Sequence, residues 1–182
     1  MSVAAALPLS AVAGSTLADL ADGVVPGLGG ALDNSADQTI TNVFVQSATP
    51  VLQELILRSR ADALHAGVQP LPAEVQRQMA GFIPEKILKL AKYRVDSGND
   101  LNLQSGAIQY GDARAITLVD VIVLKNPFDV LNNPTLWAHE LTHVEQYREW
   151  GVQGFARRYL QDYEAVEQVA YAADDRPINL TH

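Results

Sequence analysis

Residues Trp137 to Tyr147 read WAHELTHVEQY. Two histidines, His139 and His143, stand four positions apart, and Glu140 directly follows the first. At about 100° per residue, Trp137, Leu141 and Val144 gather on one side of a helix. The two histidines fall together on roughly the opposite side, with Gln146 near them. They therefore lie off the aliphatic face, which argues against a pair of satisfied core histidines. Two imidazoles at i and i+4 on a rigid helix are the first half of a zinc site. The intervening glutamate is offset by one residue, so its carboxylate reaches the space beside an ion without having to bind it. This is the pattern of metal-assisted hydrolysis, with Glu140 as general base toward water and then as proton donor to a leaving amine. The expected cofactor is Zn2+, and Glu140 is the expected catalytic residue.

A catalytic zinc needs a third protein ligand and keeps its fourth position for water. The chain contains no H-E-x-x-H-x-x-G-x-x-H pattern, so a third histidine from the same helix is not available. Two glutamates further on, Glu164 and Glu167, are spaced i, i+3 and share a helix face. One can ligate while the other supports it from outside. Asp162 is a weaker third choice.

Outward from this stretch, Asn132 or Asn133 can cap a helix with Pro134 at its start. That helix is expected to run to about Trp150, with Gly151 and Gly154 breaking it. FARRYLQDYEAVEQVAYAAD then continues as helix with a bend near Asp162. Tyr147 and Trp150 read as packing at the end of the first helix. Upstream, residues 1–37 are rich in Ala, Gly, Ser and Asp and read as an arm draped over the domain. Their glycines do not form a phosphate cradle, since no strand precedes them and no Lys-Ser/Thr follows. Helical signals begin near Gln38; Thr49 is a cap candidate, Pro50 a first helical position, and Gly67 a stop. His65, at the end of this segment, reads as a surface residue favoured by the helix dipole. Two short helices follow, opened by Pro72 and Pro84. The period then changes: KYRV and AITLVDVIVL favour β structure, with turn signals at residues 97–100 and 111–112. AITLVDVIVL mixes alternation with a continuous apolar run, as in a strand covered on at least one side. The expected fold is α+β and helix-rich, one domain over residues 38–182, with a small sheet beside the metal-binding helix.

Bulk properties narrow the function classes. The 182 residues carry a net charge of −8, which disfavours nucleic acid and anionic membrane surfaces. There is no cysteine, so disulfides, thiolate ligands and a cysteine nucleophile are excluded. No apolar run reaches the roughly 20 residues that span a bilayer, so no membrane insertion is expected. The first twenty residues are apolar but lack the basic region of a signal peptide. Three readings stay open, a mature chain with its signal removed, export by another route, and residence in the cytoplasm, of which export is the expected one.

The order PLPAEV, AKYRV, ARAITLVDVIVL, AHELTHVEQYREWG, AVEQVAYAAD, running from Pro70 to Asp174, resembles the bacterial extracellular contractile injection system (eCIS) core domain family. The resemblance implies a compact zincin-like fold of the minigluzincin kind. It also implies a gluzincin-type zinc metallopeptidase site of His139, His143 and Glu167, with Glu140 as base. The family's Glu-x-x-Ala segment matches Glu167-Gln-Val-Ala170 and so favours Glu167 over Glu164. The sequence departs at TLVDV, where the family more often has glycine between the leucine and the acidic residue; no harm to metal binding is expected. By analogy with zinc peptidases, AITLVDVIVL is the candidate strand for pairing with a substrate backbone. Tyr159, Tyr163 and Arg157 are candidate oxyanion stabilisers, though each reads first as a packing or surface residue. The implied partners are a protein or peptide substrate and an injection-system or toxin partner. The competing expectation is an inactive zinc-stabilised binding or loading module of a secretion or injection apparatus.

Overall fold

A computed structural model describes residues 38–95 and 114–174. The 1–37 arm and the turn signals at 97–100 and 111–112 lie outside the described residues. In chain order the elements are α1 (Gln38–His65), β1 (Gln69–Pro70), α2 (Ala73–Met79), α3 (Glu85–Leu90), β2 (Lys92–Val95), β3 (Ala115–Leu118), β4 (Val121–Leu124), α4 (Asp129–Asn132), α5 (Pro134–Gln161) and α6 (Tyr163–Asp174). The fold is helix-rich α+β with a small mixed sheet, as its sequence pattern predicts.

Helix α1 runs through the position where a start was expected. Pro50 is inside it, and Thr49 is not a cap: its hydroxyl donates to Val45 O at 2.5 Å, one turn back. A proline in a helix interior costs about 3 kcal/mol. Burial of Phe44, Val45, Ala48, Leu52 and Ile56 along one continuous face opposes that cost. Packing of that face, spread over both sides of Pro50, explains why the helix does not restart there. The stop expected at Gly67 is present, with φ at +98°, in the left-handed region that favours glycine.

The sheet order is β1-β2-β4-β3, with β2 and β4 parallel and the other pairs antiparallel. AITLVDVIVL is two strands rather than one. Leu118 pairs with Val121, so Val119 and Asp120 form a two-residue hairpin turn. Asp120 explains the fold-over: its buried carboxylate takes both arms of the Arg60 guanidinium, at 2.5 and 3.1 Å. Its carbonyl also accepts from Lys92 N at 2.8 Å, which ties the turn to β2. Every residue of β4 is buried, and β3 forms an edge of the sheet.

Helix α5 is the spine. Asn133 caps it, its side-chain oxygen accepting from Leu136 N at 3.2 Å, and Pro134 follows in the first turn. Trp137, Leu141 and Val144 pack with Val75, Met79 and Ile87 of α2 and α3 and with Ile122 and Leu124 of β4. At Gly151 the backbone leaves the helical region, with φ 70° and ψ 168°. In a straight helix, Phe155 would lie ~12 Å from Tyr147 and ~18 Å from His143 along the axis. The ring centroids are instead 3.8 and 6.0 Å apart, so the chain folds back on itself at Gly151. Gly154, expected as a second break, is helical. A Cβ there would stand 3.1 Å from the Trp150 Cβ, so its role is close approach rather than helix breaking. The returned segment packs against α1 through Phe155, Ala156 and Leu160. The bend expected near Asp162 is a full break, where the Asp162 side chain accepts from Ala165 N at 2.9 Å and caps α6.

Candidate metal centre

The first half of α5 and the body of α6 bring three side chains together. His139 Nε2 and His143 Nε2 are 3.2 Å apart. Glu167 Oε2 lies 3.3 Å from the first and 3.5 Å from the second. Donors set roughly 2.0–2.2 Å from a tetrahedral ion stand about 3.3–3.6 Å from one another, close to these separations. The three edges therefore match one face of such a coordination shell, and the donor set of two imidazoles and a carboxylate suits a borderline-soft divalent cation. Glu164 is exposed, and it is Glu167, one helical turn on, that meets the histidines. Asp162 is used as the cap of α6 and is not in the group.

The helical wheel separates the histidines from the aliphatic face, but that opposite face is also covered. His143 is buried beneath α6 and Phe155, while His139 is half-buried with its ring 4.9 Å from that of Tyr171. Burial alone would push the His143 imidazole down. The hydrogen bond and charge of Glu167 outweigh it, with Glu140 and Gln146 adding, and raise it to about 9. The same pairing acts in reverse on Glu167. Burial favours its neutral form, but hydrogen bonds and charge from His139 and His143 lower it to about 2. In the metal-free protein the cluster is thus held as an ion pair.

Glu140 is buried and faces β3. The Thr117 hydroxyl donates to its Oε2 at 2.6 Å and also stands 3.1 Å from its backbone carbonyl. Thr117 was invisible to sequence reasoning, because an ordinary strand threonine carries no signal of its partner. Gln146 was placed near the histidines by the wheel alone. Its Oε1 meets His143 Nδ1 at 2.8 Å, and its Nε2 donates to Val166 O at 2.9 Å.

Of the three candidate oxyanion groups, Tyr159 and Tyr163 both feel the charge of Glu167, and Tyr159 is the more buried. Its hydroxyl is pushed up by burial and then by the nearby charge of Glu167. Tyr163 is also raised, by burial and then by Glu164. Arg157 is exposed and borders a different feature, a groove of about 830 Å³ between α1 and the Gly151 turn, lined also by Gln46, Gln53 and Trp150. Tyr147 and Trp150 pack as expected, both stacked on Phe155.

Among the described residues, no helix is long and apolar enough to cross a membrane. No curated protein and no solved structure matches the chain. Residues 70–151, which include His139, Glu140 and His143 but end before Glu167, match the family model of the eCIS core domain. The match spans less than half of the chain, and what it shows is that this stretch is similar to the eCIS core domain.

Proposed function

We propose that the protein is a zinc-dependent peptidase with a zincin-like active site, in which His139, His143 and Glu167 hold the ion and Glu140 is the general base. The observation that carries this reading is the triangle of donor atoms, with edges of 3.2, 3.3 and 3.5 Å, set beside a buried glutamate. A bound zinc supplies Lewis acidity toward a carbonyl oxygen and toward water. The protein supplies the proton handling. Thr117 engages Oε2 of Glu140, so Oε1 is the oxygen left to take a proton from the attacking water. As the peptide C–N bond breaks, Glu140 returns that proton to the departing amine. Burial keeps bulk water away from this carboxylate. The substrate class is a protein or peptide, and β3, the sheet edge that carries Thr117, is the strand placed to pair with an extended backbone.

A second reading is favoured by the same residues. The ion would bridge α5 and α6 and so act as a clip that stabilises a binding or loading module without turnover. Glu140→Gln separates the two. In a peptidase this variant keeps about one zinc per chain by elemental analysis and loses hydrolysis of an unfolded-protein substrate by at least a hundredfold. Undiminished hydrolysis in the variant rules out the assigned base, and a wild type that holds zinc but cleaves nothing favours the clip.

A further inference from the structure

We infer that Gln146 is the positioning residue of this centre: its amide fixes which nitrogen of His143 carries the proton and ties that ring to the helix that delivers Glu167. The inference rests on the reading that His139, His143 and Glu167 form a zinc site. One group beside Gln146 has only one possible role. The carbonyl of Val166 can only accept, so the amide 2.9 Å from it must present Nε2 there. Oε1 of Gln146 then faces His143 Nδ1 at 2.8 Å, and a carboxamide oxygen also only accepts. Nδ1 must therefore carry a hydrogen in the neutral ring. The lone pair is left on Nε2, the atom directed at His139 Nε2 and Glu167 Oε2.

The same amide sets the register of the opposing helix. Val166 directly precedes Glu167, so the amide that orients the ring through Oε1 also locates α6, through Nε2, one residue from the third ligand. Gln146 is 3 % exposed, which leaves little access for water to replace either bond. A glutamine that merely satisfied itself in a core would need neither the imidazole nor the residue beside a ligand as its partner.

Gln146→Met keeps the length of the side chain and removes both bonds. The test uses the metal-free full chain, with histidine-selective 15N spectra at alkaline pH, where the rings are neutral, and a zinc titration against a competing chelator. In the wild type His143 is expected as the Nδ1–H tautomer. In Gln146→Met it should move toward Nε2–H, and zinc affinity should fall about 10- to 100-fold. Gln146→Glu keeps an acceptor for Nδ1–H but offers no donor to Val166 O. It should retain the wild-type tautomer while binding zinc more weakly than the wild type. Should the methionine variant fail to fold, the glutamate variant still decides: Nε2–H in that protein overturns the inference. So does a folded methionine variant with wild-type tautomer and wild-type zinc affinity. A wild type that takes up no zinc while the tautomer responds to Gln146→Met instead refutes the metal reading and leaves the positioning role in place.

Discussion

At the scale of single residues, the ion pair of His143 with Glu167 gives the metal-free protein a defined pH response. His143 is raised from 6.5 to about 9, so the stability it contributes is complete below 6.5 and lost as pH rises through 9. Glu167 is lowered from 4.5 to about 2, so its contribution is complete above 4.5 and lost as pH falls through 2. The two shifts describe one pairing, and that pairing stabilises the apo chain most between 4.5 and 6.5. On the proposed reading zinc would have to displace the proton that His143 holds on Nε2, so its affinity should climb about tenfold per pH unit from neutrality toward pH 9. Melting curves of chelated and zinc-loaded protein should therefore diverge as pH increases; a gap that narrows over this range would contradict the pairing. The HExxH residues were legible because two histidines four apart have a geometric meaning on any helix. Thr117 was not, since its importance arises only when the strand is laid beside Glu140.

Val119 shows how a local sequence can mislead about an element. It has φ at 65°, alone among the described non-glycine residues, at the first position of a two-residue hairpin turn. Positive φ at that position alone marks a type II′ turn, which takes glycine there. A β-branched residue in this conformation is strained, and LVDV reads as continuous strand because its apolar, β-branched residues carry no turn signal. Val119→Gly should relieve about 1–3 kcal/mol of strain against about 0.5–1 kcal/mol of added chain entropy. Val119 also packs partly against the α1–α5 cluster, which trims the gain. The expected outcome is a modest rise in melting temperature with zinc binding unchanged; a lower melting temperature would mean that its packing outweighs the strain. Gly151 is the converse case. A Cβ there meets nothing within 4 Å, yet φ 70° with ψ 168° is territory almost reserved for glycine. Gly151→Ala should cost about 1–3 kcal/mol in denaturant unfolding, although it creates no clash. The helix-breaking role of Gly151 was legible and that of Gly154 was misread, because composition does not say whether a glycine is there for its torsions or for a neighbour. The proline-led helices α2 and α3 appeared where the sequence put them. Pro50 did not start α1, since the apolar face on both sides of it outweighs one lost hydrogen bond.

Across the whole molecule, α5 joins two clusters with different partners. Trp137, Ala138, Leu141 and Val144 pack on the sheet and the short helices, whereas Tyr147 and, past Gly151, Phe155, Ala156 and Leu160 pack with α1 and Val166 of α6. The fold-back carries Phe155 to His143 and lets α6 return over the histidines. On the proposed reading the three donors span His139 to Glu167, 28 positions, close to the 29 positions that separate paired residues of β2 and β4. Loop length therefore gives neither closure an entropic lead. What differs is the join: Trp137, Leu141 and Val144 hold the first half of α5 in a buried cluster, whereas α6 comes over the histidines by way of the turn at Gly151. Were zinc bound, it should slow hydrogen exchange in α6 more than in β4, and equal protection of the two would contradict a link between α5 and α6. Because the carboxylate reaches the histidines only through that turn, a backbone cut between residues 151 and 162 would leave the histidine pair in place and take the third donor away.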